Sequence, residues 1–322
     1  MSIKYTNIVD NLPASIPFVG PEAQERANGQ IFRARIGANE SVFGPSAKAV
    51  QAIQKEITNT WQYGDPENFD LKNALALKYS VLSENIVVGE GIDGLLGYLV
   101  RLIIQEGDNV VTTDGAYPTF NYHVNGYGGK LHKVPFKNDT EDLEGLLAKV
   151  KETSAKILYV SNPNNPMGTI NQPKGIENLI KNLPKTTMLC LDEAYIDFLP
   201  SDLIPNISEN EPNVIRMRTF SKAYGMAGLR VGYAIGEKNT ILNFEKIRNH
   251  FGMSRVSQVG ALAALDDNEF INDIIRKVEL AKKRIIDIVK ANNCKYLNSY
   301  TNFIAIDCLK DDVYAKNILQ IN

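Results

Sequence analysis

Between residues 85 and 236 the chain alternates short apolar runs with stretches in which apolar side chains recur every three or four positions. The runs predict strands at 85–89, 109–113, 130–136, 156–162, 187–192, 213–217 and 229–235, and the periodic stretches predict helices at 91–105, 118–125, 141–151 and 173–181. Upstream, Ser46 is placed to cap a helix over 47–57, and a further helix runs to about residue 80. Downstream, 239–250 and 273–291 read as long helices and 302–307 as a strand. Strands alternating with helices imply an α/β fold with a mostly parallel sheet covered by helices on both faces. Ligands of such sheets collect at the carboxyl ends of the strands. Two units are expected: a large one over 46–238, and a smaller α/β one built from 1–45 together with 239–322. The N-terminal arm is punctuated by Pro13, Pro17, Gly20 and Pro21.

Composition narrows the class. A chain of 322 residues exceeds a typical single core, and 44% hydrophobic with 22% charged residues describes a soluble globular protein. A formal net charge of -2 shows no basic bias, which argues against nucleic acid as partner. The three cysteines form no C-x-x-C pair, so neither a zinc site nor a disulfide framework is expected. His123, His132 and His250 stand alone, so no catalytic metal is expected either. The amino terminus has no apolar signal core and no run approaches a membrane span; a cytoplasmic protein is expected.

Four stretches converge on the carboxyl side of the predicted sheet. Gly89-Glu90-Gly91-Ile92-Asp93-Gly94 joins a strand to a helix, where free amides and glycines suit a phosphate, although such a turn can also be only a turn. Asn162-Pro163-Asn164-Asn165-Pro166-Met167-Gly168 follows a strand and is either turn chemistry or a rigid loop aiming an amide at a ligand. Asp192-Glu193-Ala194-Tyr195 closes an apolar strand, and a carboxylate there is costly unless it meets a cation, such as a protonated pyridine nitrogen. Ser221-Lys222 with Arg230 lies on a glycine-containing connection between two strands. A lysine partly desolvated there becomes a nucleophile toward an aldehyde, and the serine and arginine suit a phosphate. Together these are the surroundings in which pyridoxal phosphate works as an electron sink.

On these motifs, with Ala38-Asn39-Glu40, the sequence resembles fold-type I pyridoxal-phosphate enzymes, specifically class-II aminotransferases of the histidinol-phosphate aminotransferase type. Order and spacing agree from about residue 35 to 308. The resemblance implies that Lys222 carries the cofactor in Schiff-base linkage and then moves the proton between the substrate α-carbon and C4′. It implies that Asp192 pairs with the pyridinium nitrogen and that Asn165 and Tyr195 bond the 3-hydroxyl. The phosphate would fall to the Gly91 turn with the amides of Ile92 and Asp93, to Ser221 and to Arg230. Phe120 occupies the place of a ring-stacking aromatic. Tyr63 looks like the residue that reaches a neighbouring subunit's phosphate, which implies a homodimer with shared sites. Asn39 and Asn165 would face substrate.

The implied activity is ping-pong transamination between an amino donor and a 2-oxo acid, with L-histidinol phosphate and 2-oxoglutarate as the expected pair. An aromatic amino acid donor is the alternative, and a threonine-phosphate decarboxylase-like enzyme or a silent cofactor-binding module are rivals. Arg255, in a stretch unlike the family's usual one, either reads an acidic or phosphorylated substrate or is a surface ion-pair partner. Phe18 stands where the family often has tyrosine. The family keeps a carboxylate-binding arginine near its C-terminus, and the sequence stops at Asn322 before that segment; a missing tail is expected.

Overall fold

A computed structural model describes residues 3–13, 19–35 and 37–307; Phe18 and the stretch beyond 307 lie outside the described residues. Its centre is a seven-stranded sheet. The strands are β1 Ile86–Glu90, β2 Asn109–Thr113, β3 Lys130–Val134, β4 Ile157–Ser161, β5 Met188–Asp192, β6 Val214–Thr219 and β7 Val231–Gly236. Their spatial order is β1-β7-β6-β5-β4-β2-β3. Parallel pairing runs from β6 through β5, β4 and β2 to β3, while β7 is antiparallel to both β6 and β1. The β6–β7 link, residues 220–230, contains no α-helical crossover, and a parallel return needs one.

The helices are α1 Asn7–Asp10, α2 Pro21–Asn28, α3 Ala47–Glu56, α4 Phe69–Tyr79, α5 Gly91–Ile103, α6 Thr119–Gly126, α7 Leu143–Thr153, α8 Pro173–Asn182, α9 Lys238–Glu245, α10 Arg255–Leu265 and α11 Asn268–Ala291. Strand alternation splits the apolar residues between the two faces. Ile157, Tyr159 and Cys190 join Leu95, Leu99, Phe120 and Phe244 in one core, whereas Leu158, Val160, Leu189 and Leu191 join Leu146, Val150, Ile176 and Leu179 in another. Helices α5, α6 and α9 therefore cover one face, and α7 and α8 the other.

Two elements differ from expectation. Helix α10 is absent from the sequence-based prediction, and it packs on α3 and α4, while α9 packs on β1, α5 and β7. Both thus lie against elements built from residues between 47 and 236. The strand expected at 302–307 is extended only at β9 Ile306–Asp307, which pairs with β8 Lys295–Tyr296. Residues 301–303 bend instead, because the Ser299 and Thr301 hydroxyls both bond the Phe303 carbonyl and compete with a ladder. No helix among the described residues is long and apolar enough to cross a membrane.

Candidate active site

β1 and β5 meet the site at their carboxyl ends, and the antiparallel β7 at its amino end. Asp192 is the last residue of β5 and is 5% exposed. Its Oδ2 accepts a hydrogen bond of 2.6 Å from the Tyr159 hydroxyl and its Oδ1 one of 2.9 Å from the Ala194 amide. Both donors are neutral. Burial pushes the carboxyl above its ordinary value, and the Tyr159 bond pulls the other way. A buried carboxylate of this kind suits a cationic ring nitrogen.

Lys222 leaves the β6–β7 link half-buried. Its Nζ donates to the carbonyl of Ala38 at 2.8 Å and lies 5.6 Å from the centre of the Tyr195 ring. Burial lowers its pKa from 10.5 to about 8; Glu40 and Asp192 oppose the shift, and Arg230 adds to it. The Tyr195 hydroxyl accepts from Asn39 Nδ2 at 3.0 Å and from Asn165 Nδ2 at 3.5 Å. Asn39 takes a positive φ of 54°, a conformation that asparagine tolerates better than most residues. Asn302, from the C-terminal part, donates to the Asn39 carbonyl at 2.9 Å, and Phe303 meets the Tyr195 ring edge-on at 5.4 Å. Lys222, Asp192, Tyr195, Asn39 and Asn165 are thus gathered from segments far apart in the chain.

A second group lies beside the first. Gly91 opens α5 with φ +76°, and a Cβ built on it would stand 2.5 Å from Arg230 Nη2. A Cβ on Gly232 would stand 2.6 Å from the Ile92 nitrogen, so β7 also needs glycine to run beneath the start of α5. Arg230 Nη1 reaches Ser221 Oγ at 3.4 Å. Gly91, Ile92 and Asp93 at the amino end of a thirteen-residue helix, one guanidinium and one hydroxyl make an anion seat. The Asp93 carboxylate itself is turned to His123 at 2.9 Å.

Three further expected residues make contacts of their own. Phe120 is fully buried, its ring stacked on Tyr159 with centroids 4.6 Å apart and planes 13° apart. Tyr63 is exposed and leans on Phe251 at 4.9 Å. Arg255 is engaged by Glu56 and by the Tyr63 carbonyl, the ion pair being one of its two expected readings. Sequence reasoning passes over Tyr117, which is within electrostatic reach of Asp93, Asp192 and Arg230. It also passes over Glu141, expected to start a helix. Glu141 is instead buried, accepting from Asn164 Nδ2 at 2.8 Å beneath the loop that carries Asn165, and burial raises its pKa to about 8. Its signal is that an acid sits beside Asp142, the actual cap of α7.

Comparison with known proteins follows the same geometry. The family model for aminotransferase class I and II matches residues 35–316. Among curated proteins, the histidinol-phosphate aminotransferase of Moorella thermoacetica is 34% identical over 281 residues, 86% of this chain and 72% of that one. Histidinol-phosphate aminotransferase 2 of Carboxydothermus hydrogenoformans is 32% identical over 92% of this chain and 83% of its own length. Among solved structures, the histidinol-phosphate aminotransferase of Sinorhizobium meliloti in complex with pyridoxal-5'-phosphate superposes with a TM-score of 0.95 at 48% identity, covering 99% of this chain and 86% of that one. With the family model matching residues 35–316 and relatives at 34% and 48% identity, the chain belongs to the class I and II aminotransferases.

Proposed function

We propose that this aminotransferase binds pyridoxal 5'-phosphate and transfers the amino group of L-histidinol phosphate to 2-oxoglutarate, a step of histidine biosynthesis. The observation that carries the reaction type is the half-buried Lys222 amine beside Tyr195, within electrostatic reach of the buried acid Asp192. The substrate rests on the activity that names the relatives at 48% and 34% identity. The residues present fit the cofactor: a buried carboxylate bonded only by neutral donors suits the ring nitrogen, and the Gly91–Arg230–Ser221 seat suits the phosphate.

When bound, the cofactor supplies an electron sink for the charge left at the substrate α-carbon. Lys222 supplies the attacking amine and afterwards holds the α-proton on Nζ. Asp192 would face the ring nitrogen and favour its protonated form, and Tyr195 with Asn165 would bond the 3-hydroxyl. Gly91, Ile92, Asp93, Ser221 and Arg230 would hold the phosphate; Tyr117 lies within electrostatic reach of Asp192, and Phe120 is stacked on Tyr159, which bonds that acid. Asn39 ties the N-terminal arm to Tyr195 at the substrate side. A donor screen on the purified protein tests the assignment: 2-oxoglutarate should become glutamate when L-histidinol phosphate is added. Conversion only with aromatic amino acids, or release of carbon dioxide instead of glutamate, would overturn it.

Attack on the aldehyde needs the neutral amine. Because burial favours that form, capture of pyridoxal phosphate by cofactor-free protein should rise about tenfold per pH unit up to about pH 8 and then level off. Stopped-flow absorbance follows it; a midpoint near the ordinary lysine value of about 10.4 would contradict the desolvated amine.

The exposed aromatics near Tyr63 suit a second copy of the chain. Trp61 is 79% and Tyr63 77% exposed, with Ile57, Phe69 and Phe251 also open, and Tyr63 and Phe251 lean on each other. Sedimentation should give a dimer mass, and Trp61→Arg should shift it toward the monomer. A monomeric wild type at micromolar concentration would end this reading.

A further inference from the structure

Tyr159 is not needed by anything above, yet it is the only side chain that hydrogen-bonds Asp192 among the described residues. Strand geometry places it there. Tyr159 on β4 pairs with Cys190 on β5, so Asp192, two residues on, is its diagonal neighbour on the same face of the sheet. Phe120 from α6 stacks flat on the phenol ring. With that face covered and Tyr159 fully buried, the hydroxyl is held against Oδ2 while the Ala194 amide holds Oδ1. Lys222, Glu193, Glu141, Tyr195, Tyr117 and Cys190 interact with Asp192 only through space.

We infer that Tyr159 is a positioning residue that sets the basicity and direction of Asp192, and through it the charge on the cofactor's ring nitrogen. The inference rests on the reading that Asp192 meets that nitrogen. A donor at 2.6 Å withdraws electron density from the carboxylate and weakens its claim on a shared proton. The proton then stays on the ring. Without the hydroxyl, Asp192 becomes the stronger base, the proton moves toward it, and the ring is less cationic.

The protein loaded with pyridoxal phosphate tests this without turnover, because the visible absorbance of the bound cofactor titrates with pH and its apparent pKa rises as the ring loses positive charge. Tyr159→Phe keeps the stack on Phe120 and should raise that pKa, with a change of about tenfold in the proton equilibrium, the lower end for one bond to a charged group because the effect reaches the ring only through Asp192. Asp192→Asn should move it further in the same direction. The double variant should move it no further than Asp192→Asn alone, as expected of residues acting through one another. Tyr159→Leu, which also loses the ring, should match Tyr159→Phe in this pKa even though it melts lower. A Tyr159→Phe titration identical to wild type, beside a shifted Asp192→Asn, overturns the role of Tyr159 and leaves that of Asp192 standing. An equal Tyr159→Phe shift in the Asp192→Asn background also overturns it. An unshifted Asp192→Asn removes the Asp192 reading itself, and this inference with it.

Discussion

Replacing Lys222 by alanine is expected to lower turnover by at least roughly ten-thousandfold, since it removes both the nucleophile and the proton carrier. No neighbour can take over either duty. The Tyr195 hydroxyl is pushed well above its ordinary pKa by burial and is already held by Asn39. Asp192 is buried and bonded at both oxygens. Ser221 shares its hydroxyl with Thr219 and Arg230. Yet the variant should still bind pyridoxal phosphate, because Asp192 and the Gly91–Arg230–Ser221 seat are untouched. Its spectrum should be that of the free aldehyde, and small primary amines in solution should restore a fraction of the rate by supplying the missing base. Lys222→Arg should be equally inactive, because a guanidinium stays protonated and cannot attack. Turnover within tenfold of wild type in Lys222→Ala would sink the assignment.

The frame of this site is legible in the sequence because it depends on local signals. Buried strands such as Ile157–Ser161 and Met188–Asp192 are largely apolar runs; the acid ends one, the asparagine loop follows the other, and the lysine comes three residues after β6. Helix α10 is different: Arg255–Leu265 is rich in Ala, Gly and Ser, with no broad apolar stripe to reveal its period. Its small residues are buried because they let α3 approach closely, and only the Ser254 cap, accepting from the Ser257 amide, announces it. The polar links that finish the site are also hidden. Asn39 to Tyr195 spans 156 residues and Asn302 to Asn39 spans 263, so no period or spacing encodes them. Tyr159 is visible only as one more large residue in a core strand until β5 is laid beside it in register.

Glu193→Gln is expected to cost about 3–5 kcal/mol of folding stability, the usual loss when one partner of a buried ionic cluster is removed. Glu193 follows Asp192 and points to the opposite face of the sheet, where its side chain has no exposure. Arg216 grips it through Nε at 3.0 Å and Nη2 at 2.8 Å, and Arg218 Nε through the other oxygen at 2.7 Å. Arg218 in turn lies over the Tyr79 ring at 4.5 Å, and Tyr79 shares a 2.6 Å bond with Tyr233. Glutamine keeps the shape but leaves two guanidiniums in the interior facing a neutral amide. Asp197 also interacts with Arg218, but burial pushes its own carboxyl toward the neutral form, so it compensates only in part. Against a total of about 5–15 kcal/mol for an ordinary domain this is a large share; the solvent-screened Arg276–Asp273 pair on the surface offers no comparable contribution. The pH dependence has a definite sign. Burial works to raise the Glu193 carboxyl, but the two arginines overrule it and hold it below its ordinary 4.5. Its contribution is therefore present above that value and lost as pH falls through the lower folded one. Urea unfolding should show the gap between wild type and Glu193→Gln at neutral pH and a narrower gap in acid; a gap below about 1 kcal/mol at neutral pH would refute the cluster's role. Because the Glu193 amide also donates to the Met217 carbonyl at 2.8 Å, loosening this cluster frees the end of β5 from β6. Asp192 should then lose its hold on the cofactor before the whole molecule unfolds, so cofactor release should precede the main transition in the variant and coincide with it in the wild type.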